Sequence, residues 1–193
     1  MTAGPERSAA RDAALAAALP HVPFDGWTRI ALRRGMADLG LDPAEAGLLF
    51  PGGARDMIAA FCDLMDRRMT AALATPEHAG LRTTAKVRAV IALRLALLRP
   101  HREAVRRALA VLALPGNTAL AAGCTARTVG AIWQAAGDRA ADFSWYTKRA
   151  LLAAVYATTV LFWLRDTSDN DTATLRFLDR RLAGVGRLRR RAA

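Results

Sequence analysis

The stretch WTRIALRRGMADLGLDPAEAGLLFP, running from Trp27 to Pro51, decides how this sequence folds. Apolar residues at helical spacing run from a predicted Asp25 N-cap to Leu39, followed by a Gly40-Leu41 turn and an Asp42 cap. A short helix from Asp42 to Phe50 follows, and Phe50-Pro51 leads into a long helix. That layout is a helix-turn-helix, a motif that reads DNA only if its second helix offers donors and acceptors to base edges.

Here the second helix is Asp42-Pro43-Ala44-Glu45-Ala46-Gly47-Leu48-Leu49, without Arg, Lys, Asn, Gln, Ser, Thr or Tyr. Its two charges are acidic, so it would carry negative charge toward a duplex that itself repels it. Spacing and punctuation resemble the N-terminal domain of TetR-type regulators, with the reading surface degenerate. Arg29, Arg33 and Arg34 on the preceding helix either contact phosphates or form a solvated face. Specific DNA binding is not expected.

Outward from this motif the chain is uniformly helical in pattern. Alanine and leucine dominate, β-branched residues are sparse, and no alternating apolar and polar run of useful length occurs, so an all-α fold of about nine helices is predicted. Proline and glycine divide it into helices over 7–19, 25–39, 42–50, 54–75, 81–99, 102–114, 118–136 and 145–165, with a last one beginning near Asp171. Residues 1–53 form the degenerate helix-turn-helix region. Residues 54–193 are expected to form a larger helical region packed as one unit.

With 53% hydrophobic residues in 193, the chain can bury a sizeable core. Its 28 basic against 17 acidic side chains give a net charge of +11, which points to an acidic partner, whether nucleic acid, anionic lipid or an acidic protein, without deciding among them. Only Lys86 and Lys148 are lysines, an arginine bias that suits GC-rich coding and weakens the charge signal. Cys62 and Cys124 make no paired framework and read as small core residues, which fits a reduced cytoplasmic setting. No secretory signal pattern begins the sequence. Ala150 to Leu164 carries no charge but as a helix would span only about 22 Å, short of the roughly 30 Å hydrocarbon core. It is predicted to be wrapped by other helices as the axis of the bundle.

Enzyme chemistry has no visible machinery. His21, His78 and His101 lie beside different breakers without metal-ligand spacing, and Asp63 with Asp66 lacks the histidine of a di-iron pattern. No phosphate loop, dinucleotide fingerprint or nucleophile elbow occurs. The protein is expected to be no enzyme, and no metal or cofactor is expected.

Three features remain. Val90, Ile91, Leu97, Leu152, Val155, Tyr156, Thr159, Phe162 and Trp163 lie on two helices rich in alanine, where they either close into ordinary core or line a channel for a long apolar ligand. Trp145 and Tyr146 point about 100° apart at the start of a helix, so one is an exposed interface anchor or a half-buried corner. Leu175, Leu178, Leu182 and Val185 form a stripe flanked by arginines, suited to an anionic bilayer or to docking on the bundle.

Taken together, Ala18-Leu19-Pro20-His21-Val22-Pro23-Phe24-Asp25-Gly26-Trp27, Leu49-Phe50-Pro51-Gly52-Gly53, Ala136-Gly137-Asp138, Asp142-Phe143-Ser144-Trp145-Tyr146-Thr147-Lys148-Arg149 and Arg176-Phe177-Leu178-Asp179-Arg180-Arg181-Leu182 resemble the lipid-binding accessory protein family of ubiquinone biosynthesis. The resemblance covers nearly the whole chain. It implies a TetR-like homodimer without DNA-binding function, holding an isoprenoid lipid or quinone intermediate and presenting it to the membrane-bound demethoxyubiquinone hydroxylase. It further implies that Asp142, Trp145, Tyr146 and Arg149 belong to the surface the hydroxylase uses.

Mitochondrial members of that family carry a further long amphipathic helix. Here the end of the sequence, with Leu182, Val185, Arg187, Leu188, Arg189 and Arg190, is expected to meet the membrane instead, at about 1 kcal/mol per basic side chain near an anionic surface. The expected location is the cytoplasm, peripherally on the inner membrane. The rival reading is a TetR-type ligand-responsive transcriptional regulator.

Overall fold

Ser8 opens the first helix, its hydroxyl accepting from the Arg11 amide, and every later element of the described chain is also helical or a turn. The computed structural model describes residues 4–73, 82–137 and 144–191, the side chains of 144–146 and 185–191 excepted. The α-helices are α1 Ala9–Ala18, α2 Val22–Asp25, α3 Arg29–Asp38, α4 Ala46–Leu49, α5 Ala54–Ala72, α6 Thr83–Leu98, α7 Arg102–Leu112, α8 Thr118–Ala135, α9 Ser144–Trp163 and α10 Thr172–Arg191. No strand occurs among the described residues, so the all-α expectation is met.

Two compact units share the chain: residues 1–67 with 98–124, and residues 68–97 with 125–193. This partition follows packing, whereas the division at residue 53 followed the motif.

In the first unit α1 crosses α3 closely because Gly35 has no side chain. A Cβ there would stand 2.4 Å from the Ala18 nitrogen, which no side chain tolerates. Leu15, Leu32, Met36, Phe50, Met57 and Ile58 are fully buried around this crossing. Trp27 reaches α7, its indole donating to the Ala104 carbonyl at 2.9 Å, and it packs on Phe61. Charge fastens α1 to α5. Arg7 grips both oxygens of Asp63 at 2.9 and 2.6 Å, and Arg67 bridges Asp63 to Asp12. Burial pushes the Asp63 carboxyl up, but the two guanidinium groups outweigh it and hold the group below its ordinary value. The buried Arg11 donates to the Leu49 carbonyl and to Asp56, its guanidinium 4.3 Å from the centre of the Phe50 ring.

Two local expectations change here. Asp25 does not cap α3. It ends α2 and accepts from Arg34 at 2.9 Å, while the Thr28 hydroxyl accepts from the Ala31 amide and starts α3. Gly26, at φ 72°, makes the turn between the two short helices, a conformation that moves the cap three residues along. The helix predicted over 42–50 is a 3-10 turn at Pro43–Glu45 followed by the single turn α4. Asp42 does cap it, accepting from the Ala44 amide at 2.8 Å.

In the second unit, α9 packs on α10, and the Arg88–Asp179 ion pair ties α6 to α10. Asp166 organises the link after α9. Its carboxylate accepts from the Ser168 amide at 2.8 Å and from the Thr174 amide and hydroxyl at 2.8 and 2.6 Å. Burial alone would raise the Asp166 pKa, yet these donors hold it well below the usual carboxylate range.

The prediction that Ala150 to Leu164 is wrapped on all sides fails. Leu152, Val155, Thr159, Val160 and Trp163 are buried, but Ala150, Ala154, Ala157, Thr158, Leu161 and Phe162 are exposed. Uniform apolarity misleads because much of the outward face is alanine, whose small side chain exposes little apolar area.

Candidate functional site

Helices α6, α8 and α9 meet around a charge that sequence reading missed. Arg94, 3% exposed, donates from Nε to the Tyr156 hydroxyl at 2.7 Å and from a terminal nitrogen to the Thr128 hydroxyl at 3.3 Å. Its guanidinium carbon is 5.7 Å from the centre of the Tyr156 ring. A buried guanidinium is costly unless its donors find acceptors, so the hydroxyls of α8 and α9 are fixed in orientation by it.

The side chains in the rest of this unit's interior are largely apolar. Of the residues expected to line a lipid site, Val90, Ile91, Leu152, Val155, Thr159 and Trp163 are buried, Leu97 and Tyr156 half-buried, and Phe162 exposed. Thr159 donates to the Val155 carbonyl of its own helix and thus presents its methyl group sideways. Tyr156 presents the polar atom, and its partner Arg94 supplies the charge.

A second feature lies outside this interior. Phe162 stacks on Phe177 with ring centres 4.6 Å apart, and Arg181 and Arg180 approach the Phe177 ring at 4.8 and 6.0 Å. With exposed Leu161, Arg165 and Arg176 they form an aromatic and basic surface on α9 and α10. Leu178 of the predicted C-terminal stripe is fully buried, and Leu182 is half-buried. Val185, Arg187, Leu188, Arg189 and Arg190 lie on α10, but their side chains are outside the described residues.

The structure brings only part of the expected hydroxylase surface into view. Asp142 falls outside the described residues, and Trp145 and Tyr146 occupy the first turn of α9 without described side chains. Arg149 is half-buried, one of its terminal nitrogens 3.3 Å from where a Cβ on Gly130 would stand, so its guanidinium lies against α8.

Among the described residues no group of three or more His, Cys, Asp or Glu could hold a metal. His21 pairs with Asp38 at 2.6 Å and His101 meets the Phe61 ring edge-on, while His78 lies outside the described residues. No single described helix is long and apolar enough to cross a membrane.

The architecture is that of a TetR-like all-α protein whose helix-turn-helix lacks base-reading groups. A solved TetR transcriptional regulator from Nitrosomonas europaea superposes with a TM-score of 0.73 over 91% of this chain and 97% of its own, at 24% identity, which speaks to fold alone. The COQ9 family model matches residues 118–189. Ubiquinone biosynthesis protein COQ9, mitochondrial, of Homo sapiens is 37% identical over 175 residues, covering 87% of this chain and 55% of the relative. The Schizosaccharomyces pombe protein of the same name is 33% identical over 166 residues, 86% of this chain and 65% of the relative. A Dictyostelium discoideum protein named as probable COQ9 is 31% identical over 170 residues. The chain belongs to the COQ9 family, and it spans about half the length of the first of these relatives.

Proposed function

We propose that this chain is a non-enzymatic accessory protein of ubiquinone biosynthesis. It shelters an isoprenoid quinone intermediate within the second unit and presents it to the membrane-associated demethoxyubiquinone hydroxylase. The observation that carries the reading is the Arg94, Tyr156 and Thr128 cluster set among buried Val90, Ile91, Leu152 and Trp163. A largely apolar interior with a few convergent polar groups suits an amphiphile with one oxygenated end and a long hydrocarbon tail. Family membership supports the pathway, since the curated relatives are named for ubiquinone biosynthesis.

The chain acts as a homodimer at the membrane surface. The arginines of α10 face anionic headgroups, and the first turn of α9, with Trp145 and Tyr146, meets the hydroxylase. Reading DNA as a TetR-type regulator would require donors to base edges and phosphates on the segment 42–49, whose only polar side chains, Asp42 and Glu45, are acceptors.

The experiment is deletion of the gene followed by quantification of quinones. Demethoxyubiquinone should accumulate while ubiquinone falls, with recovery on return of the wild-type gene. Normal ubiquinone in the deletion strain contradicts the proposal.

A further inference from the structure

The second helix of the helix-turn-helix carries no base-reading donors, but it is not an ordinary solvated corner. Every residue from 37 to 45 is exposed, and Leu39, Leu41 and Leu48 present their side chains to solvent, Leu48 at 81%. Anchoring beneath is firm: Ala46 and Phe50 are fully buried, and the Leu41 amide donates to the Met36 carbonyl at 2.9 Å. Three leucines on a short, well-anchored corner are therefore exposed with no compensating collapse, which marks an interaction surface more than a packing defect.

Along the corner's own stretch of chain the charge is of one sign. Between Arg34 and Arg55 the chain carries Asp38, Asp42 and Glu45 and no basic residue, in a protein whose net charge is +11. Glu45 and Leu48 are three residues apart across the turn into α4, a spacing that sets them on one side. The Asp38 carboxylate lies 2.6 Å from the His21 ring nitrogen and Asp42 caps the following turn, so these two acids are held in place. An acid-rimmed apolar corner repels nucleic acid and anionic headgroups alike and complements a cationic amphipathic surface.

We infer that this corner is a docking site for a partner protein, and that its occupant is a helix with a leucine-type apolar stripe bordered by Arg or Lys. Such a helix lays its apolar face on Leu39, Leu41 and Leu48 and its basic flank on Asp38, Asp42 and Glu45. The inference is independent of lipid binding in the other unit.

The test titrates the full chain against three labelled synthetic helical peptides of about five turns. They share one leucine stripe and carry Arg, Gln or Glu at the polar positions. The Arg peptide should bind, more tightly at low salt, and the Glu peptide should not. Glu45→Arg with Leu48→Ser should weaken binding on the order of tenfold or more. Both side chains are exposed, so the melting temperature should stay unchanged. The single variant Leu48→Ser reports separately if the double variant melts early. Equal binding of the Glu peptide, binding unaffected by the substitutions, or no binding of the Arg peptide overturns the inference. So does self-association of the chain, or vesicle binding, that disappears in these variants, because the occupant would then be a second copy or a bilayer.

Discussion

The helix-turn-helix corner and α9 both turn apolar side chains outward, in opposite electrical settings. Leu41 and Leu48 stand among acids, whereas Leu161 and Phe162 stand near Arg165, Arg176, Arg180 and Arg181. The interiors beneath differ as well. In the first unit guanidinium and carboxylate pairs tie α1 and the residues just before it to α5, whereas in the second a buried arginine joins hydroxyls of α8 and α9 and the Arg88–Asp179 pair ties α6 to α10. One small chain thus exposes an acid-bordered apolar corner on one unit and an arginine-bordered aromatic surface on the other. Net charge alone, being strongly positive, would have predicted a single kind of partner.

The comparison breaks first, and with the largest effect, at buried aromatic residues. Trp163 is fully buried on α9, so Trp163→Ala should cost about 3–5 kcal/mol in denaturant unfolding. Leu48→Ser on the exposed corner should change stability by no more than about 0.5 kcal/mol. Similar costs at the two sites would mean that the corner is packed after all.

Next in size is the buried charge. Arg94→Met removes a donor from the Tyr156 and Thr128 hydroxyls and should destabilise by about 1–3 kcal/mol while lowering the amount of lipid that purifies with the chain. If only stability falls, Arg94 is a structural tie between helices and does not serve the ligand.

Asp166 sharpens the contrast through pH. Its folded value lies below the ordinary carboxylate value of about 3.9, so its contribution is present above that value and is lost as pH falls further below it. Asp166→Asn should lower stability at pH 7 by about 2 kcal/mol and flatten the acid limb of a melting-temperature profile. An unchanged acid limb would place the acid sensitivity in the first unit, at Asp63.

The smallest stability effect belongs to the start of α9. Trp145→Ala with Tyr146→Ala should leave the melting temperature nearly unchanged and weaken association with the hydroxylase in a pull-down titration. A large drop in melting temperature would show that the pair is core.

Much of this architecture was legible because breakers dominate local choice. Pro20, Gly40, Pro51, Pro100 and Pro115 fall between or at the ends of helices as the sequence implied, and Asp42 caps the turn where it was expected. Thr28 was missed as a cap because the positive-φ turn at Gly26 separates two short helices that the sequence pattern merges into one boundary. The burial of α9 was misread because composition gives no direction on a helix whose residues are apolar all round. Arg94 escaped because arginine is ordinarily a surface residue. A signal for it existed: Val87, Val90, Ile91, Leu95 and Leu98 place residue 94 on the inward stripe of α6.

The claim that an oily ligand lodges in the second unit is tested most directly by mass spectrometry of lipids extracted from protein purified without detergent. The account predicts an isoprenoid lipid at near-stoichiometric yield in the wild type and a marked loss in Arg94→Met. Wild-type protein that is repeatedly recovered free of lipid would contradict it.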